Sequence, residues 1–284
     1  MTDARLRRRK IVNGLMFSLT AACTIACLAV LFVILGYIVY HGAAALDWSF
    51  LTRLPKPVGE PGGGIANAMV GSAKIVALAA VLGVPVGVLG AVYLHEFGHN
   101  RIGFVIRYAA DLLNGMPSIV IGVFAYGLIV LPMKRFSALA GSAALAVIMI
   151  PIVLRSTEEF LRLVPASLRE AGLALGVPRW KVILLVVIPS AWGGILTGIL
   201  LAVSRIAGES APLIFTAFGN RFWDNGWLNP MSALPLTIYT YAISPYEDWH
   251  RQAWAAAMVL VLVVLAGNVL ARLLMRGGRG ASNA

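Results

Sequence analysis

The motif His95-Glu96-x-x-His99 sets two histidines four residues apart, with a glutamate beside the first. On an α-helix both imidazoles would share one face and could bind Zn²⁺, with the glutamate as general base. A catalytic site needs a third protein ligand, and the other two histidines, His41 and His250, are predicted at the opposite ends of the apolar segments described below. We therefore expect no metal here, and an intramembrane zinc metalloprotease is the least favoured function.

A second candidate is the pair Arg205 and Glu209, which follows a long apolar run. Counted from Lys181, the 24 residues of helix rise about 36 Å, so Arg205 lies between the middle and the outer edge of a bilayer. A charge there is costly unless it meets a partner or a wet cavity. One interpretation is a structural ion pair across one helical turn. The other is a substrate pathway, in which the planar guanidinium of Arg205 binds an oxyanion through two donors and Glu209 neutralises it when the site is empty.

The elements that must position these residues are strongly apolar. Hydrophobic residues make up 60% of the 284 and charged residues only 12%, which is about half the charged fraction of a soluble domain. Six segments lack Asp, Glu, Lys and Arg over roughly the 20 residues that a helix needs to cross a bilayer. They are 15–40, 75–94, 112–133, 136–154, 182–204 and 253–271. The sequence predicts an all-α integral membrane protein with six transmembrane helices.

The net charge of +11 is unevenly distributed along the chain. Most arginines and lysines fall at 5–10, 101–107, 155–181 and 272–279, and few fall in the intervening loops. Because cytoplasmic loops are enriched in Lys and Arg, this distribution predicts that both termini are cytoplasmic, and it does not indicate nucleic acid as a partner. The predicted organisation is a basic cytoplasmic N-terminus at 1–14, one six-helix domain at 15–274 and a cytoplasmic C-terminus at 275–284.

The third apolar segment opens with a proline. Pro117, which precedes Ser118 and is flanked by Gly115 and Gly122, predicts a bend and a close approach of neighbouring helices. A broken helix exposes backbone groups that could face a pathway, and a packing kink is the alternative interpretation.

A short helix is predicted inside the longest polar interval, 155–181. Pro165 suits a first helical turn, and Leu168 and Ala171 share a face at three-residue spacing. Gly176 would end the helix in the left-handed conformation. Such a helix has little to bury by itself, and a simple turn between two membrane helices is one interpretation.

The same interval carries a family resemblance. Glu170-Ala171-Gly172, then Gly176, then Val-Val-Ile-Pro at 186–189 resembles the EAA loop of bacterial ABC importer permeases. It departs from that pattern in Gly172, where a second alanine is usual, and in Ile188, where leucine is usual. Three other stretches resemble permeases of the phosphate-specific (Pst) importer group, with Ser210 where threonine is more usual: NAMVGS at 67–72, GMPSIVIGVFAY at 115–126 and RIAGESAPLIFTA at 205–217.

The resemblance implies an ABC type I importer permease fold in the bacterial cytoplasmic (inner) membrane, and a subunit that moves inorganic phosphate. The substrate pathway is then assigned to three residues: Arg205, Glu209 and Ser118. The coupling helix that docks on an ATPase is assigned to four: Glu170, Ala171, Gly172 and Gly176. A permease for another oxyanion, such as sulfate or molybdate, remains the alternative, since one arginine does not distinguish tetrahedral anions.

The sequence contains no glycine-rich loop that ends in Gly-Lys-Ser or Gly-Lys-Thr, the signature of ATP-binding P-loops. We therefore expect a non-enzymatic subunit that binds no cofactor, with ATP and Mg²⁺ held by its ATPase partner. The partners that the resemblance implies are a second homologous permease subunit, two ATP-binding cassette ATPase subunits, an external phosphate-binding protein and membrane lipid.

Overall fold

The computed structural model describes residues 3–58, 60, 62–223 and 226–280, with side chains over 5–58, 60, 62–223 and 226–273. These residues are mostly helical and form no β-strand. Five of their helices are long and apolar enough to cross a membrane, and two further helices, bent by 105° at a short break, meet the same length and hydropathy criteria as a pair. The predicted all-α class is confirmed, and the count of six holds when the bent pair is one crossing.

The helices are numbered here in chain order. They are α1 Asp3–Gly42, α2 Trp48–Thr52, α3 Ala66–Glu96, α4 Arg101–Gly115, α5 Ser118–Met133, α6 Ala138–Arg162, α7 Ala166–Ala174, α8 Arg179–Ala207, α9 Ala211–Thr216, α10 Leu234–Ala242 and α11 Glu247–Gly280. Two of them contain one turn of π-helix, α5 at Tyr126–Val130 and α8 at Ile183–Val187. Side-chain caps fix some of the helix starts: the Asn100 oxygen accepts from the Gly103 N–H before α4.

α6 is the centre of the bundle. Of its most apolar window, 67% is buried, the largest share among the crossing helices of the described chain. α3 runs beside α6 in parallel, and Gly87 lies so close that a Cβ there would be 2.8 Å from the Val153 Cβ. In a membrane such small residues matter because helices associate through van der Waals contact. The resulting core includes Ile75, Leu145 and Met149, which are fully buried.

α1 contacts the bundle mainly through its C-terminal end. There Tyr37 and His41 lie against the Trp254 ring of α11, with ring centroids 5.2 and 5.6 Å apart. None of the apolar window of α1 is buried, and Phe17 and Phe32 are exposed in the single chain. α1 begins at Asp3, so the predicted N-terminal segment is helical from that residue. An apolar helix with this much free surface is suited to lipid or to another membrane subunit.

The structure revises the predicted second and third crossings near the candidate site. The second, 75–94, extends back to Ala66, so the NAMVGS stretch is helical. The third, 112–133, is divided: its first four residues belong to α4, and α5 begins only at Ser118. Pro117 causes the break because its ring has no N–H to donate and disfavours helical backbone at Met116.

The bundle has two ends, each named here after one residue. The Glu96 end contains the C-terminal ends of α3 and α6, the start of α4, and α7. The Asn67 end contains α2, α10 and the start of α3, where the Asn67 amide donates to the Asn220 carbonyl at 2.6 Å. Residues 281–284 of the predicted C-terminal segment lie outside the described residues.

Candidate functional site: a mid-membrane arginine and an exposed helix

Arg205 lies halfway along the bundle. α8 runs antiparallel to α6: Gly198 lies against Ser156, and one turn earlier α8 lies against Phe160. A step along one helix matches an equal step back along the other, since both rise about 1.5 Å per residue. Arg205 is therefore level with Met149, near the middle of α6. In a bilayer centred on α6, this is the depth at which an ionised side chain is most costly.

Arg205 and Glu209 form a loose ion pair. The Arg205 Nε lies 4.0 Å from the Glu209 Oε1, and the side chains are 58% and 19% exposed in the single chain. α8 ends at Ala207, so Glu209 occupies the short turn before α9 rather than the next turn of one helix. At this distance no hydrogen bond forms. Within the described residues no other carboxylate makes an ion pair with Arg205, so its charge is balanced while its donors are not fully occupied by Glu209.

Ser118 lies at a similar depth. A Cβ at Gly122, one turn further along α5, would be only 2.7 Å from the Pro212 Cα of α9. From this contact both helices run toward Ser137, whose N–H donates to the Thr216 carbonyl at the end of α9 at 2.9 Å. One turn before the Gly122–Pro212 contact, Ser118 of α5 is level with the turn that holds Glu209. The fold thus gathers the three predicted pathway residues at one level of the bundle.

The sequence analysis missed a polar contact beside Arg205. The Ser204 Oγ lies 3.0 Å from the Asn268 Oδ1 on α11. The two residues border an apolar groove of about 510 Å³ between α3, α8 and α11. A polar contact between crossing helices restricts rotation of α8 just before Arg205. The available signal was Asn268 itself, an isolated amide inside the last apolar segment.

The His95-Glu96-x-x-His99 motif does not form the helical geometry that a zinc site requires. α3 ends at Glu96, and the Phe97 N–H caps it by donating to the Tyr93 carbonyl at 2.8 Å. His99 lies beyond the helix and is exposed, so the two imidazoles do not share a helical face. Across the described part of the chain, no group of three His, Cys, Asp or Glu side chains is arranged to hold a metal ion.

The short helix α7 forms where the sequence predicts it. It begins after Pro165 and ends before Gly176, whose φ of +75° is the left-handed conformation that favours glycine. The Gly176 N–H donates to the Leu173 carbonyl at 2.9 Å, which satisfies one of the free carbonyls of the last turn. The predicted helix and its glycine stop are both confirmed.

α7 buries none of its residues in the chain. Its apolar side chains and the leucine after it are exposed: Leu168, Leu173 and Leu175. Gly172 faces inward, where a Cβ would be 2.9 Å from the Val182 Cγ2, so the small size of this residue is needed within the chain itself. Glu170 and Ala171 remain on the outer surface. An exposed apolar helix outside the crossing segments is typical of a protein-binding surface.

Two buried carboxylates lie at the Glu96 end. Glu158 of α6, with a side chain 2% exposed, makes ion pairs with Arg107 at 2.8 Å, Arg162 at 2.8 Å and Arg155 at 3.5 Å. Glu96 of α3, 5% exposed, is approached by two arginines from the α7 region. Buried charges of this kind need partners, since an unpaired carboxylate in low dielectric is strongly unfavourable.

The Asn67 end carries aromatic side chains. Tyr241 stacks on Trp249 with ring centroids 4.5 Å apart, and the Arg221 guanidinium lies 5.4 Å above the same Trp249 ring. Burial raises the pKa of the Tyr241 phenol, so this group stays protonated at neutral pH. Phe222 and Trp223 beside them are exposed. Tyr and Trp of this kind are common at membrane interfaces and at protein contacts.

The fold is shared with a solved ABC transporter. A chain of the MetNI methionine ABC transporter, solved in inward-facing conformations, superposes with a TM-score of 0.63 at 18% identity, over 75% of this chain and 95% of that chain. Residues 83–277 match the family described as binding-protein-dependent transport system inner membrane component.

Two relatives narrow the class. The phosphate transport system permease protein PstA of Yersinia pestis is 42% identical over 94% of this chain and 90% of its own length. PstA of Xylella fastidiosa is 44% identical over 95% of this chain and 94% of its own. The chain belongs to the binding-protein-dependent transport permeases of the inner membrane, and within them to the PstA family. The resemblance found in the sequence is thereby confirmed.

Proposed function

We propose that the chain is the permease subunit of an ATP-driven importer that moves inorganic phosphate across the inner membrane. The observation that carries the proposal is identity above 40% along nearly the whole chain to permeases named for phosphate transport. Arg205 at mid-depth supports it, because a planar guanidinium suits a tetrahedral oxyanion through two parallel hydrogen bonds. Sulfate and molybdate are also tetrahedral oxyanions and could bind Arg205 in the same way. Phosphate is favoured over them because the relatives are named for phosphate transport, and not because of the arginine.

The pathway uses Arg205, Glu209 and Ser118. In the empty site Glu209 balances the charge of Arg205 across 4.0 Å. A phosphate that arrives at this level offers closer and better oriented acceptors, so Arg205 exchanges a loose ion pair for charge-assisted hydrogen bonds. Ser118 supplies a neutral hydroxyl donor at the same depth. Release follows when the anion leaves and Glu209 again compensates the charge.

Transport is driven through the Glu96 end. The exposed surface of α7, including Glu170 and Ala171, docks on an ABC ATPase. Gly172 allows the helix to lie close to the bundle, and Gly176 ends the helix. ATP and Mg²⁺ are bound by that ATPase. The clustering of basic residues at this end supports a cytoplasmic location for it, and with six crossings both termini are cytoplasmic. Residues 15–274 act as one permease domain between the terminal segments 1–14 and 275–284.

Other subunits complete the transporter. A second, homologous permease covers part of the free membrane surface, lipid covers the rest, two ATPase subunits bind from the cytoplasm, and a phosphate-binding protein delivers the anion to the Asn67 end. The exposed Phe222 and Trp223 at that end support a protein contact. The intramembrane zinc protease is not favoured, since α3 ends at Glu96 before the second histidine of the motif.

Uptake of radiolabelled phosphate tests the function directly. The host strain lacks this chain and every other phosphate transporter, and the chain is then restored from a plasmid. We expect uptake only in the restored strain, competed by unlabelled phosphate and not by sulfate or molybdate. Competition by sulfate at equal concentration would indicate the other oxyanion, and uptake that is equal with and without the chain would contradict the proposal.

A further inference from the structure

Glu96 connects the core of the bundle to α7 and to the start of α8. The Arg169 Nε of α7 lies 3.2 Å from the Glu96 Oε1, and the Arg179 Nη2 at the start of α8 lies 3.5 Å from the Glu96 Oε2. Arg179 also donates to the Glu96 backbone carbonyl at 2.7 Å. The carboxylate is 5% exposed. One buried negative charge therefore attracts two cations that lie ten residues apart, one within α7 and one after it.

Both arginines make further contacts with the ends of the crossing helices. The Arg169 Nη2 donates to the Leu161 carbonyl of α6 at 3.2 Å and lies against the His95 Nε2. The Arg179 guanidinium lies 4.8 Å above the Phe97 ring, a cation–π contact. Arg169 thus spans α7, α3 and α6, and Arg179 spans α8 and the end of α3.

α7 has few other attachments to the bundle. It buries none of its residues, and Leu168 and Leu173 are exposed. Since no side chain of α7 is fully buried, the ion pairs of Arg169 and Arg179 with Glu96 are the contacts best suited to set the position of α7. α3, which carries Glu96, packs along α6, and the core that the two helices share includes Ile206, the neighbour of Arg205.

We propose that Glu96 is a positioning residue that holds the ATPase-docking helix α7 on the bundle through Arg169 and Arg179, so that movement of the ATPase is transmitted to α3 and α6. This inference rests on the proposed function, in which α7 receives the ATPase. It assigns to Glu96 a role in the efficiency of coupling, and none in binding phosphate or metal.

Glu158 provides a matched control. It is a buried carboxylate at the same end, paired with Arg107, Arg162 and Arg155. These arginines belong to α4 and α6, and none of them lies on α7. Loss of the Glu158 charge should therefore weaken the bundle without loosening α7, whereas loss of the Glu96 charge should loosen α7.

The experiment uses the complete transporter, with its partner permease, ATPase and binding protein, in proteoliposomes. The measured quantity is the number of ATP molecules hydrolysed per radiolabelled phosphate moved, normalised to assembled complex. Glu96→Gln should raise this ratio about tenfold, the effect expected from one charge-assisted contact. Glu96→Asp, which keeps the charge, should recover part of the coupling. Glu158→Gln should lower the amount of complex and leave the ratio unchanged.

Arg179→Gln covers the case in which Glu96→Gln fails to assemble. Arg179 is 57% exposed, and its loss leaves Glu96 paired with Arg169, so assembly should persist while the ratio rises by a smaller factor. An unchanged ratio in an assembled Glu96→Gln or Arg179→Gln complex would overturn the inference. The wild-type complex is measured first. If it takes up phosphate with ATP and the variants show unchanged ratios, the positioning role of Glu96 is rejected while the proposed function stands. Absence of uptake by the assembled wild type rejects the proposed function as well.

Discussion

Replacing Arg205 by glutamine distinguishes a structural ion pair from a substrate contact. At 4.0 Å, two unit charges attract each other by about 4 kcal/mol at an effective dielectric constant of about 20. That value is an upper bound, since Arg205 is 58% exposed in the chain and makes no hydrogen bond to Glu209. In the water-filled pathway proposed here, an exposed pair of this kind contributes about 1 kcal/mol or less. Arg205→Gln should therefore leave the amount of assembled transporter almost unchanged.

The same substitution should have a much larger effect on transport. Hydrogen bonds to a charged group contribute about 1.5–3 kcal/mol each, so losing two of them to phosphate reduces uptake roughly a hundredfold or more. Arg205→Lys keeps the charge but loses the planar pair of donors, and we expect it to recover only part of the activity. Uptake of radiolabelled phosphate is measured in cells, with the assembled complex quantified in the same membranes.

The double variant Arg205→Gln/Glu209→Gln provides the decisive comparison. If the arginine only balances Glu209, removing both charges restores folding and uptake together. If it contacts phosphate, the double variant assembles normally and stays inactive. Normal uptake in the double variant at normal expression would refute the pathway assignment.

Three further predictions can be checked separately. Cysteine in place of Ala171 should crosslink to the ATPase in the assembled transporter, whereas cysteine in place of the inward-facing Gly172 should not. Crosslinks that form only from the N-terminal segment would contradict the assignment of α7 as the docking surface. The variant His99→Ala should transport phosphate normally, and elemental analysis of the purified wild type should find no stoichiometric zinc. About one equivalent of zinc that is lost on this substitution would restore the protease hypothesis. Gly122→Val should lower the assembled yield, because its Cβ would meet the backbone of α9 at 2.7 Å, while Gly127→Ala, with nothing within 4 Å, should be neutral. Equal yields for the two glycine variants would show that the α5–α9 contact is not required.

The sequence predicted the features that depend on local chemistry. Runs without charge indicated the crossings, Pro117 indicated the break before α5, and Gly176 indicated the end of α7. The sequence did not predict the start of α3, because the uncharged run begins only after Lys74, whereas α3 continues back through that residue to Ala66. Polar Asn67 is accommodated there by a hydrogen bond to Asn220, a residue distant in the chain. Such contacts depend on tertiary packing, which hydropathy along one segment does not contain.

The candidate site was predicted in part for the same reason. The spacing of Arg205 and Glu209 is visible in the sequence, and so is the stretch that contains Ser118. The partners of Glu96 are not visible, since Arg169 and Arg179 come from a segment more than seventy residues later. The motif around Glu96 therefore suggested zinc chemistry only as the least favoured interpretation, and it gave no sign that the fold pairs this carboxylate with arginines.

The π turn in α8 has a consequence for the length of the chain between α7 and Arg205. A π turn at Ile183–Val187 holds one residue more than a regular helix with the same two ends. Deletion of one residue inside it should restore a plain α-helix and keep Gly198 and Arg205 in register with α6. The same deletion between Gly198 and Arg205 would turn the end of α8 by about 100° and point the arginine away from its present surroundings. The start of α8 can therefore lose one residue without moving Arg205, while the rest of the helix must keep its length.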